Sequence, residues 1–106
     1  SKKRLMTAEV QRVFSYGKRE KGDGITIIYI KNNVFRPRFA VVVSSNFFKK
    51  STERNKIRRR TKEVLRALAP FMRGDYDIII IIQKNFKTQQ NIHAVLHSIF
   101  ISASLL

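Results

Sequence analysis

Arg54-Asn55-Lys56-Ile57-Arg58-Arg59-Arg60-Thr61-Lys62-Glu63 places six basic residues and one Asn in ten positions, and it still fits one amphipathic helix. At about 100° per residue, Ile57, Thr61, Val64, Leu65 and Leu68 fall on one side, at the i, i+4, i+7, i+8, i+11 spacing of a buried face. Asn55, Arg58, Arg59, Lys62 and Arg66 fall on the other side. One face can be buried while the other presents a dense row of donors. Guanidinium groups match phosphate in a bidentate way, and Asn can read a sugar or base edge. Such a surface suits a polyanion.

Upstream of this helix, Ser51 or Thr52 is the expected cap. Ser44 to Lys50 reads as a connecting loop holding Phe47, Phe48 and the basic pair Lys49-Lys50. Before it, Phe39-Ala40-Val41-Val42-Val43 and Ile25-Thr26-Ile27-Ile28-Tyr29-Ile30 are rich in β-branched and aromatic residues. They read as two strands paired in a hairpin across the Asn32-Asn33 turn. Lys18 to Gly24 is polar and contains Gly, so it reads as a loop. Val10, Val13 and Phe14 follow at helical spacing, with Thr7 as cap, Glu9 in the first turn and Gly17 as terminator. A first helix is expected over about residues 8–16.

Downstream, Pro70 closes the basic helix. Gly74-Asp75 precedes a strand from Asp77 to Gln83, whose five consecutive Ile residues predict burial on both faces, as in a central or parallel strand. Thr88 caps a last helix with an apolar stripe of Ile92, Val95, Leu96, Ile99, Phe100 and Ala103. The order is α-β-β-α-β-α. The fold class is α/β (α+β), a two-layer sandwich of one small sheet with helices packed on it.

Composition narrows the partner. At 106 residues the chain is one domain, read as a single RNA-binding unit over 1–106. Lys and Arg number 22 against 7 Asp and Glu, a formal net charge of +15 and a pI near 11.1. Self-repulsion on that scale calls for an anionic partner: nucleic acid first, an anionic membrane surface second. With no cysteine, disulfides and thiolate zinc sites are excluded, which is compatible with the cytoplasm. Ser1-Lys2-Lys3-Arg4-Leu5 has no apolar core behind its charges and is not expected to be a signal peptide. No unbroken apolar run is longer than that from Ile78 to Ile82, far short of the roughly 20 residues that span a bilayer. A soluble protein is expected.

The sequence offers no catalytic constellation. Glu9, Glu20, Asp23, Glu53, Glu63, Asp75 and Asp77 form no pair at general acid/base spacing, and Glu53 and Glu63 lie within the basic helix, where Arg or Lys neighbours pair with them. No nucleophile elbow and no Gly-rich phosphate loop occurs. His93 and His97 stand four apart, a spacing that can bind metal on a helix, but nothing nearby in sequence completes a shell. No metal site is expected on the protein. Phe14 and Tyr29 are candidates for stacking unpaired bases; for both, core packing competes, since Val10 and Val13 share one face and Ile25 and Ile27 the other.

The element order, with Arg54-Asn55 opening an R-N-x-x-[KR]-R helix between the last two strands, resembles the bacterial ribonuclease P protein component. That family carries G-x-x-x-S-K-K, a short loop and then R-N-x-x-K-R-x-x-R-E. Arg54, Asn55, Arg59 and Glu63 stand in place here, with Arg58 and Lys62 as same-charge substitutions. Arg4-Leu5 and Val13-Phe14-x-x-Gly17 match the family's N-terminal part. Two departures stand out. The S-K-K segment falls within Ser44 to Phe47 with the basic pair shifted to Lys49-Lys50, and Val10 stands where the family has an aromatic.

The resemblance implies a left-handed βαβ crossover, as in domain 2 of ribosomal protein S5. It also implies the protein subunit of a ribonucleoprotein endoribonuclease that removes the 5′ leader of precursor tRNA in the cytoplasm. Catalysis, with its Mg2+ ions, is then expected of the RNA subunit, and no cofactor of the protein alone. Arg54, Asn55, Arg58, Arg59, Lys62, Arg66, Lys49 and Lys50 are the expected contacts to that RNA. Phe14, Tyr29 and Val10 are the expected contacts to the leader, held in a cleft between the sheet and the first helix. The expected partners are the catalytic RNA and precursor tRNA, with no membrane and no small-molecule substrate. The alternative is a ribosomal or general RNA-binding protein without a processing role. A basic peripheral membrane protein is a third class, disfavoured because the core requires the apolar faces of all three helices.

Overall fold

The computed structural model describes residues 7–106. Arg4-Leu5 and the rest of the first six residues lie outside the described part. The elements are α1 (Thr7–Tyr16), β1 (Lys18–Lys21), β2 (Ile25–Lys31), β3 (Arg38–Val43), α2 (Ser51–Leu68), a 3-10 turn (Ala69–Phe71), β4 (Tyr76–Ile82) and α3 (Gln89–Ser102). The sheet order is β1-β2-β4-β3. Among the described residues no helix is long and apolar enough to cross a membrane.

β4 is the organising strand. Ile78, Ile79, Ile80 and Ile82 are fully buried because β4 has neighbours on both edges and helices over both faces. This overturns the expected hairpin. β2 and β3 are not partners: β2 pairs antiparallel with β4, and β3 pairs parallel with it on the other edge. The chain between β2 and β3 crosses the start of β4 instead, where the Asn32 N–H donates to the Asp75 carbonyl at 2.8 Å. The Ile run needed two neighbours, and the two sequence-adjacent strands supply one each.

A second correction concerns Lys18–Lys21, expected as loop and found as strand β1, antiparallel to β2. Four charged residues give no apolar alternation, yet they suit a sheet edge, where charge discourages pairing with other chains. The α+β class stands, but the layers number three rather than two. α1 covers one face through Val13, Ile28 and Ile79; α2 and α3 cover the other through Ile57, Val64, Leu65, Ile92, Leu96 and Phe100.

The helix ends follow from their capping groups. Thr88 caps α3 as expected, its Oγ1 accepting from the Asn91 N–H at 3.1 Å. α1 is described from Thr7 onward, so the expected cap at Thr7 falls at the edge of the described residues. α2 is flanked by Lys50 in extended conformation with no side-chain cap, contrary to the expected Ser51 or Thr52. Its entry is held from within, as Arg54 Nη1 donates to the carbonyls of Phe48 and Lys49 at 2.6 and 3.3 Å. α2 ends at Leu68, and Pro70 sits in the 3-10 turn beyond it.

Candidate nucleic-acid interface

α2 buries the side its periodicity predicted: Ile57, Thr61, Val64, Leu65 and Leu68. Each of the four apolar side chains contributes roughly 1.5–3 kcal/mol relative to exposure, which pins the helix despite its charge. Thr61 meets its own polar requirement by donating Oγ1 to the Ile57 carbonyl at 2.8 Å. The opposite side is a shallow open groove lined by Asn55, Arg58, Arg59, Lys62, Glu63 and Arg66. The expected row is therefore one continuous surface, with Glu63 added.

Within that row the groups are held to different degrees. Arg58 Nη1 donates to Asn55 Oδ1 at 3.0 Å, which occupies the Asn carbonyl and leaves its amide donors for a ligand. Arg66 pairs with Glu63 at 2.9 Å in an exposed contact that water weakens. Arg59 and Lys62 are exposed, and neither makes a hydrogen bond or ion pair among the described residues. Lys49 and Lys50 are exposed at the helix entry. Arg54 has a further, structural engagement. It is half-buried, and its Nη1 is engaged by two backbone carbonyls, so it shapes the Lys49-Lys50 entry.

The second candidate surface lies on the sheet face beside α1. Register places Thr26, Ile28 and Ile30 of β2, Asp77, Ile79 and Ile81 of β4, and Arg38, Ala40 and Val42 of β3 on this face. Arg19 and Lys21 of β1 share it, opposite Ile28 and Thr26. They were missed with their strand, although the alternation in Lys-Arg-Glu-Lys could have shown two cations on one face. Phe14 is 42% exposed on α1 and available to a ligand. Val10 is half-buried against the Val13–Ile28–Ile79 cluster and packs α1 onto the sheet. Tyr29 is on the opposite face, against the main core, with its ring edge-on to Tyr76 at 5.8 Å and 72°. Phe14 and Tyr29 therefore do not flank one groove. Burial first, then the charge of Glu20 and the neighbouring Tyr76, push the Tyr29 phenol above its ordinary pKa.

A buried charge cluster that sequence reading missed seats α1. Arg38 Nε and Nη2 donate to Asp77 Oδ1 and Oδ2 at 2.8 and 2.9 Å, a bidentate pair in which Asp77 is 1% exposed. Arg38 Nη1 donates to Glu9 on α1. Asn32 Nδ2 donates to Asp77 Oδ1 at 2.8 Å and to the Arg36 carbonyl at 3.0 Å. The hydrogen bonds to Asp77, followed by its charge and by Glu9, raise the Arg38 pKa above its ordinary value against the opposing effect of burial. One carboxylate thus fastens the α1 helix and the β2–β3 loop.

His93 and His97 are exposed on α3 with rings stacked at 5.9 Å and 15°. Among the described residues no three or more His, Asp or Glu side chains converge as a metal shell would require.

These features agree with what the chain resembles. The family model described as Ribonuclease P matches residues 2–100. The ribonuclease P protein component of Picosynechococcus sp. is 29% identical over 77 residues, covering 73% of this chain and 66% of the relative. That of Ralstonia pickettii is 36% identical over 64 residues, covering 59% of this chain and 45% of the relative. The matched stretch thus spans under two thirds of the length of both. Among solved structures, the Staphylococcus aureus RNase P protein superposes with a TM-score of 0.85 at 22% identity, covering 96% of this chain and 95% of that one. The Thermotoga maritima RNase P protein gives 0.80 at 24% identity, covering 90% and 92%. At these identities the superpositions establish the shared fold.

Proposed function

This chain belongs to the ribonuclease P protein family, and from that membership we propose that it acts as the protein subunit of a ribonucleoprotein endoribonuclease maturing tRNA 5′ ends. The observation that carries the reading is the α2 row. Asn55, Arg58, Arg59, Lys62 and Arg66 share one open surface on a helix whose other side is locked into the core. With Lys49 and Lys50 at its entry, this row binds the RNA subunit by releasing counterions from its phosphates. The face beside α1, with Phe14 exposed and Arg19 and Lys21 along its edge, receives the single-stranded 5′ leader of precursor tRNA.

In this reading the protein binds and positions, and the RNA performs the hydrolysis with its own Mg2+. The carboxylates support that division of labour. Asp77 and Glu9 are held by Arg38 in the seat of α1, while Glu63 and Asp23 make exposed pairs with Arg66 and Lys84, each at 2.9 Å. The activity belongs in the cytoplasm, where precursor tRNA is processed, and involves neither a membrane nor a small-molecule substrate.

The test is cleavage of precursor tRNA by a bacterial ribonuclease P RNA at low magnesium, with and without the protein. Stimulation that grows with leader length is expected. Tight RNA binding without stimulation would leave the α2 row as an RNA site and make the chain a general RNA-binding protein.

A further inference from the structure

Between β3 and α2, the segment Ser44 to Lys50 holds two adjacent phenylalanines in opposite settings. Phe48 is buried in the main core, while Phe47 is 59% exposed. The local hydrogen bonds fix this difference. The Ser44 carbonyl accepts from the N–H groups of Phe47 and Phe48 at 3.2 and 3.1 Å, and Ser44 Oγ accepts from the Asn46 N–H at 3.1 Å. Arg54 holds the downstream side through the Phe48 and Lys49 carbonyls. With Phe48 anchored inward and the backbone tied at both ends, Phe47 is presented outward by a preorganised turn.

Its surroundings indicate the ligand. Asn46, Lys49 and Lys50 are all exposed. Upstream, β3 ends beside exposed Val42 on the α1 face; downstream, α2 begins its basic row. Along the chain, Phe47 therefore lies between the strand that ends on one candidate RNA surface and the helix that carries the other. Phe35 and Phe71 are also exposed, but Phe35 precedes the other end of β3 and Phe71 follows the far end of α2. A protein partner is a poor match, because the core of a protein interface is depleted in Lys and needs more apolar area than one ring. Single-stranded nucleic acid fits, since every base offers a face to an aromatic ring and its flanking phosphates call for cations.

We propose that Phe47 is a stacking platform for one unpaired nucleobase of the single strand received by the α1 face, with Lys49 and Lys50 neutralising the adjoining phosphates. The proposal rests on the RNA-processing reading above and extends its binding surface to a residue outside both the row and the cleft.

The chain contains no Trp, so Phe47→Trp supplies a sole indole reporter. Titrating the Phe47→Trp protein with a short single-stranded oligoadenylate should quench its emission saturably. Ile101→Trp, on a helix without Lys, Arg, Asp or Glu, should not respond. Phe47→Ala should weaken oligonucleotide binding roughly 5- to 150-fold. It should leave the slope of affinity against salt unchanged, since no charge is lost. Phe47→Tyr should restore binding and Phe47→Leu should not. An unresponsive indole, quenching by the ribonuclease P RNA but not by the oligonucleotide, or a reduced salt slope in Phe47→Ala would each overturn the proposal. Precursor cleavage by the unaltered protein, run in parallel, separates the two readings. If it stimulates while the indole stays silent, the Phe47 site alone fails; if it does not stimulate, the RNA-processing reading fails.

Discussion

Arg54 and Arg59 sit on the same helix, and their surroundings give them different work. Arg59 is exposed and makes no hydrogen bond or ion pair among the described residues, so its charge is available to a phosphate; Arg54 donates Nη1 to two carbonyls of the preceding loop. Arg59→Ala should weaken binding to the RNA subunit and reduce the log–log salt slope by about 0.7–0.9, one phosphate's share. Arg54→Ala should change that slope less, while costing about 1.5–3 kcal/mol of stability through its lost charged hydrogen bonds. Filter binding across a salt series and urea unfolding separate the two. Equal slope changes would mean that Arg54 contacts RNA as directly as Arg59. Arg66 falls between them: its exposed bond to Glu63 is weak enough to exchange for a phosphate oxygen.

At the scale of elements, the buried face of α2 was legible because its five positions recur at helical spacing and lie within one continuous segment, although its cap was not. β4 was legible as a central strand for a similar local reason, its Ile run. The neighbours of β4 were not, because which strands flank it is settled by long-range pairing and not by any local pattern. β1 escaped notice because a wholly charged edge strand is held by its backbone. The Arg38 cluster escaped for want of a spacing rule: Glu9 and Asp77 lie 29 and 39 positions from Arg38 in the chain. Its importance can be tested by element. Asp77→Ala leaves Arg38 without its bidentate partner in a largely buried site and should cost about 3–5 kcal/mol in urea unfolding. Glu9→Gln removes a contact whose carboxylate side is 32% exposed and should cost about 1 kcal/mol or less. Hydrogen exchange in the Glu9 variant should quicken in α1 while β2 and β4 stay protected. Exchange that quickens equally in α1 and the sheet would show that α1 is not separately fastened by this contact.

For the molecule as a whole, the sequence carries a net charge of +15, and the fold has a radius of gyration of only 12.8 Å. The Debye length is about 10 Å at 0.1 M salt and about 30 Å at 0.01 M, so at low salt every cation feels charges across the whole protein. The same basic row proposed to bind phosphates therefore also adds repulsion within the free fold, and the core beneath it must offset that repulsion. Stability and RNA affinity should consequently respond to salt in opposite directions. Between about 0.01 and 0.2 M sodium chloride the Tm of the free protein should rise through screening, while RNA affinity falls steeply. Arg59→Glu adds an acid to the row without touching the core, so it should raise the Tm at low salt and converge on the unaltered protein at high salt. The same change should abolish the contribution of that position to RNA binding. Calorimetry and binding on one salt series check both halves. A Tm that falls with added salt, or an Arg59→Glu protein less stable at low salt, would mean that self-repulsion does not limit the fold. RNA association would then have to be explained by the shape of the row and the turn at Phe47 rather than by relief of charge.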